Sequence, residues 1–387
     1  MPAKPSPDFN QPVERRNTGS LKWDKYANTD ILPLWVADSD FQAPPEVAAV
    51  LRERANHGVF GYGGTPPGLV EVFLDTMHRE FAWDVDPAWL VWLPSVVSGL
   101  SATCRSVGSV GDGVAVMTPV YPPFLSVPKN MNRTLKMIPL AGDNDVGWTY
   151  EKEELQRELA DDVGLMLFCH PHNPVGRAWH ETELLELAEA CLANDVVMCS
   201  DEIHNQLILA MDRKHRPLAA LAPEIAARTI TLMAPSKAFN IAGLGCAVAI
   251  IPDQQLRRNF EQAMAGIVPY SNVLGQLAAE AAWRHGDSWL SAQISHLRKQ
   301  RDLLAQNVNK IPNVTMANVE ATYLAWLDLR QWERQDLATF LEAHGIGLSD
   351  GKMFGAPGYM RLNFGCTQPT LAEACRRLTA AASAAAK

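Results

Sequence analysis

A chain of 387 residues, 47% of them hydrophobic and 20% charged, is typical of a globular protein with two cores of unequal size. The formal net charge of −9, without any basic stretch, argues against binding to nucleic acid or to an anionic membrane surface. The polar, proline-rich N-terminus does not resemble a signal peptide, and no run approaches the roughly 18 apolar residues that span a bilayer. Seven scattered cysteines in apolar surroundings favour a reducing compartment. We therefore expect a cytoplasmic protein.

The first 30 residues show little periodicity and predict an arm that packs along the surface. From about residue 89 to residue 251, short apolar runs alternate with helix-period stretches such as Glu181–Ala193. This alternation predicts a mostly parallel sheet that is covered by helices on both faces. Its seven predicted strands are Leu90–Leu93, Val114–Met117, Leu135–Ile138, Gly164–Cys169, Val196–Cys199, Thr229–Met233 and Cys246–Ile251.

After residue 253 the pattern changes to long helices, which continue to about Lys310 and are interrupted near residues 269–272. Shorter elements then alternate, as expected for a small α+β unit. They are a strand at Ala321–Leu327, a helix at Gln335–His344, a strand at Tyr359–Asn363 and a last helix from Thr370.

The predicted fold is therefore α/β, with a large domain built on the seven-stranded sheet and a smaller α+β domain. We place the N-terminal arm and part of the small domain at residues 1–45. The large domain is predicted at residues 46–285, and the rest of the small domain at residues 286–387.

In open α/β sheets, functional groups collect where the parallel strands end. The strand Leu90–Leu93 leads into Pro94–Gly99, whose small residues precede a helix and leave N–H groups free to hold a phosphate. An ordinary strand-to-helix turn explains this stretch equally well. The next candidates are Asn173, whose amide can donate a hydrogen bond into a cleft, and Asp201, which either caps a turn or opposes a ligand cation.

Lys237 follows the apolar strand Thr229–Met233 and has small and apolar neighbours. Lysines normally lie on solvated surfaces, and a partly buried lysine has a lowered pKa. Such an amine is neutral enough to form an imine with a carbonyl compound. An exposed loop lysine is the alternative interpretation of this position alone.

These three residues lie in the stretches Asn-Pro-x-Gly, Asp-Glu-Ile-His and Ser-Lys-x-Phe-Asn, in this order. Their order and spacing resemble those of pyridoxal-phosphate (PLP) dependent enzymes of fold type I, the class I/II aminotransferase family. The chain is most similar to the cystathionine β-lyase-like C–S lyases of the MalY/PatB group. The resemblance covers nearly the whole chain, with local matches at residues 21–24, 34–38, 60–62, 119–124, 171–177, 200–204, 234–237 and 361–366.

The resemblance implies that PLP is the cofactor and that Lys237 carries it as a Schiff base and later moves the Cα proton. It implies that Asp201 holds the proton on the pyridine nitrogen, so that the ring can act as an electron sink. It further assigns Asn173 to the 3-oxygen of the ring, Tyr121 to stacking on the ring, and His204 to a position near the 3-oxygen.

The remaining implied contacts concern the phosphate and the substrate. The N–H groups of Val96 and Val97, with Ser236, resemble the phosphate cradle. Three other residues resemble the substrate site: Arg361 as the clamp on the α-carboxylate, Ala37 as a further substrate contact, and Tyr62 as a residue lent by the partner subunit of a homodimer. Taken singly, Tyr121 also fits a core aromatic, Tyr62 a simple interface residue and Arg361 a surface charge.

The sequence departs from the family pattern at several positions. Gly245 stands where most aminotransferases have a phosphate-binding arginine, which agrees with the lyase group. Ser39 and His170 replace a methionine and an asparagine that are usual in that group, and residues 367–368 replace a Pro-Arg pair. From Ser39 and His170 we expect a substrate other than cystathionine, or a broader range of substrates.

The sequence therefore predicts a PLP-dependent C–S β-lyase that cleaves an S-substituted L-cysteine to a thiol, pyruvate and ammonia. Elimination and transamination share their first steps, so an aminotransferase is the alternative. A metal hydrolase built on Cys169, His170, His172 and His204 is a second alternative, although no paired metal-binding spacing supports it. A regulatory protein with the same fold is a third.

Overall fold

The computed structural model describes residues 7–385. No helix in this range is long and apolar enough to cross a bilayer. Thirteen α-helices lie within it: α1 (Leu21–Asp24), α2 (Pro45–His57), α3 (Pro67–Phe81), α4 (Val96–Ser106), α5 (Pro122–Asn130), α6 (Lys152–Leu159), α7 (Glu181–Ala193), α8 (Pro223–Ala226), α9 (Gln254–Met264), α10 (Val273–His285), α11 (Asp287–Val308), α12 (Leu337–Ala343) and α13 (Gln368–Ala385).

The main sheet has seven strands in the spatial order β1-β7-β6-β5-β4-β2-β3. The strand β7 is antiparallel to both of its neighbours, and the other neighbouring pairs are parallel. The predicted seven-stranded, mostly parallel sheet is therefore confirmed. Its strands are β1 (Leu90–Leu93), β2 (Gly113–Thr118), β3 (Thr134–Pro139), β4 (Val163–Cys169), β5 (Val197–Asp201), β6 (Thr229–Met233) and β7 (Ala247–Ile250).

Helices cover both faces of this sheet because its central strands are apolar on both sides. In β4, Leu165 and Leu167 face one core cluster, which includes side chains of α4, α5 and α9. Met166 and Phe168, which alternate with them, face another cluster, formed largely with α6 and α7. A third cluster joins β6 and β7 to α3, α10 and α11.

A second, fully antiparallel sheet follows the long helix α11 and has the order β8-β9-β11-β10. Two short strands, Leu32–Pro33 and Ile346–Gly347, form a separate parallel pair that ties the N-terminal segment to the C-terminal part of the chain. A hairpin pairs Ala141–Asp143 with Gly147–Thr149. The strands of the second sheet are β8 (Thr315–Met316), β9 (Leu324–Asp328), β10 (Ser349–Asp350) and β11 (Tyr359–Asn363).

The predicted elements agree with the structure to within two residues at each end, apart from the start of one strand, and two of the differences have a physical reason. The strand β5 extends to Asp201, because the backbone of this residue still pairs with β4 and β6. The strand β9 begins at Leu324 and not at Ala321, since Thr322 has a positive φ of 72°. The interruption predicted near residues 269–272 falls between α9 and α10, and a second break lies at Gly286, between α10 and α11.

Candidate active site

A cavity opens where β4, β5 and β6 end, beside the first turn of α4. In a sheet of parallel strands these ends lie at one edge, so residues that are distant in sequence meet there. Nine of the residues predicted for the site line this cavity: Ala37, Val96, Val97, Tyr121, Asn173, Asp201, His204, Ser236 and Lys237.

Lys237 lies on the cavity wall just after β6, and its Nζ donates a 2.7 Å hydrogen bond to the carbonyl oxygen of Ala37. Burial, and then the positive charge of Arg361, lower the pKa of this lysine to about 8, against the opposing effect of Asp38 and Asp201. The amine is therefore partly neutral near neutral pH, as an imine-forming lysine requires.

Asp201 ends β5 and is 3% exposed. Burial raises its pKa to about 7, although the N–H of Ile203, which donates to Oδ1 at 3.1 Å, and the charge of Lys237 act in the opposite direction. A buried carboxylate beside a cavity is stabilised in its charged form by a cationic partner. The protonated ring nitrogen of a bound heterocycle would be such a partner.

The helix α4 presents its N-terminus to the cavity. Ser95 is the N-cap, and its hydroxyl oxygen accepts the N–H of Ser98 at 3.1 Å. The N–H groups of Val96 and Val97, in the first turn, have no acceptor within the helix. Together with the positive end of the helix dipole they form a site for an anion such as a phosphate.

Arg361 lies in β11 and is 5% exposed. This burial excludes the alternative interpretation of Arg361 as a surface charge. Its Nη1 donates to Asn173 Oδ1 at 3.1 Å, its Nη2 donates to the carbonyl oxygen of Trp35 at 2.8 Å, and the guanidinium stacks on Phe354 with the Cζ atom 4.8 Å from the ring centre. Burial lowers its pKa to about 10, so it remains charged at neutral pH. These contacts hold a cation beside the cavity.

Asn173, Tyr121 and His204 complete the polar lining. The backbone N–H of Tyr121 donates to the carbonyl oxygen of Asn173 at 3.0 Å, which couples two segments of the wall. Because Asn173 Oδ1 is used by Arg361, its Nδ2 is the group left to donate to a ligand. Burial lowers the pKa of His204 well below its usual value, so its ring is neutral, and its buried Nδ1 has no partner among the described residues.

Tyr62 does not line the cavity of its own chain. Its side chain is fully exposed, at 108% of the reference area, in a segment where Phe60 is also exposed. Tyr270 is exposed as well. A residue that is lent to the site of a second subunit would have this exposure in a single chain.

Sequence reasoning missed the side chains that fix residues 35–39, which we call the active-site strap. Tyr323 donates to the carbonyl oxygen of Ala37, and Asn363 donates to the carbonyl oxygens of Val36 and Asp38. No motif marks such contacts, because their acceptors are backbone carbonyls that every residue carries.

Two of the positions that depart from the family pattern, Ser39 and His170, lie behind the cavity wall. Ser39 and His170 are both buried, and neither is among the lining residues. The ring of His170 stacks on that of His215 at 4.3 Å, and its Nε2 lies 3.0 Å from the carbonyl oxygen of Arg216. The structure therefore shows no direct contact through which these two residues would select a substrate.

The metal-site alternative has no support in the part of the chain that the structure describes. The Nε2 of His172 is within 2.8 Å of the carbonyl oxygen of Pro119. Within residues 7–385 no group of three or more His, Cys, Asp or Glu side chains is arranged to hold a metal ion.

Known proteins that are similar to this chain agree with the fold described above. Residues 29–378 match the family described as aminotransferase class I and II. The chain is 37% identical to cystathionine beta-lyase PatB of Bacillus subtilis (strain 168), over 97% of this chain and all of PatB. Among solved structures, it superposes on OvoB with a TM-score of 0.94 and 42% identity, covering 97% of this chain and 98% of OvoB.

It also superposes on cystalysin from Treponema denticola, a structure that contains pyridoxal 5'-phosphate, with a TM-score of 0.93 and 30% identity over 97% of this chain and 99% of that one. These matches confirm the fold predicted from the sequence, the type I fold of PLP-dependent transferases. The chain belongs to the aminotransferase class I and II family.

Proposed function

We propose that this chain is a PLP-dependent carbon–sulfur β-lyase, which cleaves cystathionine or another S-substituted L-cysteine to a thiol, pyruvate and ammonia. The observation that carries the proposal is that Lys237 and Asp201 line one cavity, while Arg361, which is not itself a lining residue, donates a hydrogen bond to the lining residue Asn173. A lysine with a lowered pKa, a buried carboxylate and a held guanidinium are the groups that a PLP enzyme acting on an α-amino acid requires.

The residues present fit the cofactor. Asp201 is a buried carboxylate with a raised pKa, which the protonated ring nitrogen of PLP would stabilise in its charged form. The first turn of α4, with Val96 and Val97, together with Ser236 would hold the phosphate, and Tyr121 would stack on the ring. When bound, PLP supplies an electron sink for the electron pair left when a bond at Cα is broken.

The chain's own residues then divide the work of elimination. Arg361 binds the substrate carboxylate and so orients the Cα–H bond relative to the ring. Lys237 takes the proton from Cα, the C–S bond at Cβ breaks, and its electron pair leaves with the thiolate. The unsaturated amine that remains takes up water and gives pyruvate and ammonia. Asp201 keeps the proton on the ring nitrogen throughout.

The relatives support the lyase over the aminotransferase. PatB, all of which matches this chain, is named a cystathionine beta-lyase, as is a relative from Corynebacterium glutamicum that is 31% identical over 96% of this chain and 98% of that protein. In this chain the position of the phosphate-binding arginine of aminotransferases is Gly245, which lines the cavity with a positive φ of 62°. A side chain there would be strained and would approach the carbonyl oxygen of Pro94.

The test is to supply cystathionine, cystine and S-alkyl cysteines to the purified protein, and to measure pyruvate and free thiol with no keto acid added. We expect both products in equal amounts from at least one thioether. If no thioether yields pyruvate while an amino acid and keto acid pair turns over readily, the protein is an aminotransferase. Comparing these substrates also shows whether the range extends beyond cystathionine, as the replacements at Ser39 and His170 led us to expect.

We also propose that the protein acts as a homodimer with shared sites and that it works in the cytoplasm. We further propose that its chain divides into domains near residues 46 and 286. The exposed Tyr62 and Phe60 support the dimer, since aromatic side chains are common at subunit interfaces. The seven cysteines are buried and unpaired, which supports a reducing compartment. The helix break at Gly286 supports the second boundary.

A further inference from the structure

The carbonyl oxygen of Ala37 accepts two side-chain hydrogen bonds. Lys237 Nζ donates to it at 2.7 Å, and the hydroxyl of Tyr323 donates at 2.9 Å. A carbonyl oxygen has two lone pairs, so both bonds can be made at the same time. The tyrosine hydroxyl and the lysine amine are therefore joined through a single oxygen atom.

Tyr323 is itself held firmly. It is 1% exposed. Its own carbonyl oxygen accepts the N–H of Phe364, and the N–H of the preceding residue, Thr322, donates to the carbonyl oxygen of Leu207. Its ring meets that of His204 edge-on, with 6.2 Å between ring centres. Burial raises the pKa of Tyr323 above its ordinary value, so its hydroxyl stays protonated and remains a donor at neutral pH.

The strap is also anchored on both sides of Ala37. The carbonyl oxygen of Trp35 accepts hydrogen bonds from Arg361 and from the Ser349 hydroxyl, each at 2.8 Å. Asn363 bridges the carbonyl oxygens of the residues before and after Ala37. These contacts hold the strap on either side of Ala37, and among the described residues Tyr323 is the side chain that shares the Ala37 carbonyl itself with Lys237.

We propose that Tyr323 is a positioning residue, which holds the Ala37 carbonyl so that the free amine of Lys237 keeps one orientation during proton transfer. The inference rests on the proposed role of Lys237. Tyr323 acts through the carbonyl of Ala37. The contacts that Arg361 makes with Trp35 and Asn173 do not involve this carbonyl.

The test compares Tyr323→Phe with Tyr150→Phe. Tyr150 is a matched control, because it too is buried and its hydroxyl donates to a backbone carbonyl, that of Glu183, in a different core cluster. We expect Tyr323→Phe to lower kcat by about 2- to 10-fold, the effect of one neutral hydrogen bond, with KM changed by less than about twofold. Tyr150→Phe should leave both constants unchanged.

A second measurement separates positioning from general loosening of the fold. The full-length protein is freed of PLP, PLP is added back, and the return of its visible absorbance band is followed over time. We expect covalent attachment to be slower in Tyr323→Phe than in the wild type and in Tyr150→Phe. Equal attachment rates and an unchanged kcat would overturn the inference.

A double-mutant cycle asks whether Tyr323 acts through Lys237. Lys237→Ala is assayed with an added primary amine such as methylamine as the proton acceptor, with and without Tyr323→Phe. We expect Tyr323→Phe to have no effect on this amine-supported turnover, and an equal loss in both backgrounds contradicts the inference.

If Tyr323→Phe does not fold, 3-fluorotyrosine at position 323 replaces it. Fluorination at 323 should change the attachment rate more than fluorination at 150, and equal changes count against the inference.

Borohydride reduction of the wild type keeps this test separate from that of the proposed function. If the pyridoxyl group is found on a lysine other than Lys237, the role proposed for Lys237 is wrong, and with it the basis of the inference about Tyr323. If it is found on Lys237 and Tyr323→Phe behaves like Tyr150→Phe, only the inference about Tyr323 is wrong.

Discussion

Replacing Arg361 by lysine tests the proposed carboxylate clamp most directly. The guanidinium reaches Asn173 with one terminal nitrogen, at 3.1 Å, and the carbonyl oxygen of Trp35 with the other, at 2.8 Å, while its plane stacks on Phe354. A planar fork can make these contacts and still offer two parallel donors to a carboxylate. A lysine ammonium carries all its donors on one nitrogen atom, so it cannot bond to Asn173, to Trp35 and to the substrate carboxylate at the same time.

The size of the effect follows from the number of bonds that are lost. A hydrogen bond between charged groups contributes about 1.5–3 kcal/mol, and Arg361→Lys removes one of the two parallel bonds to the substrate. A loss of about 2.7 kcal/mol of transition-state binding corresponds to a decrease of about 100-fold in kcat/KM. The variant should still fold and still bind PLP, because Arg361 has no proposed contact with the cofactor.

The assay measures kcat/KM for an S-alkyl cysteine in the wild type, in Arg361→Lys and in the control Arg330→Lys. Arg330 also stacks on an aromatic ring, that of Tyr359 at 4.9 Å, but it is exposed and bonds to Asp328. We expect the control to keep wild-type activity. If Arg361→Lys retains kcat/KM to within about threefold, the carboxylate is bound elsewhere and the clamp assignment is refuted.

Three further predictions follow from the site. Lys237→Ala should lose covalently bound PLP and essentially all turnover, as measured by borohydride labelling and pyruvate release; full activity in this variant would contradict the assignment. Mixing Lys237→Ala with Tyr62→Phe under subunit exchange should restore part of the activity if Tyr62 is needed in a shared site, whereas a monomer in sedimentation at assay concentration would exclude the dimer. Because burial lowers the pKa of Lys237 to about 8, and the neutral amine is the nucleophile, covalent uptake of PLP should speed up with pH and level off above about pH 8; a rate that still rises at about pH 10 would show an ordinary lysine.

The sequence by itself was sufficient for the main sheet and for the grouping of three candidate residues at one edge of it. Continuous apolar strands such as Thr229–Met233 can be buried only in a sheet that is covered on both faces, so their number and type followed from composition and periodicity. Residues such as Asn173, Asp201 and Lys237 come at strand ends, and all parallel strands end at the same edge. Their meeting at one cavity was therefore predictable from order alone.

The tertiary structure decided what those residues contact. Ala37 lies 200 positions from Lys237 and 286 from Tyr323, yet its carbonyl oxygen joins the two. Arg361 is buried, and the backbone carbonyl of Trp35, from the N-terminal segment, accepts a hydrogen bond from it. Neither contact leaves a trace in the sequence, because the acceptor is a backbone carbonyl that any residue would supply. The direction of that carbonyl depends on how distant segments pack, and packing is a property of the whole fold.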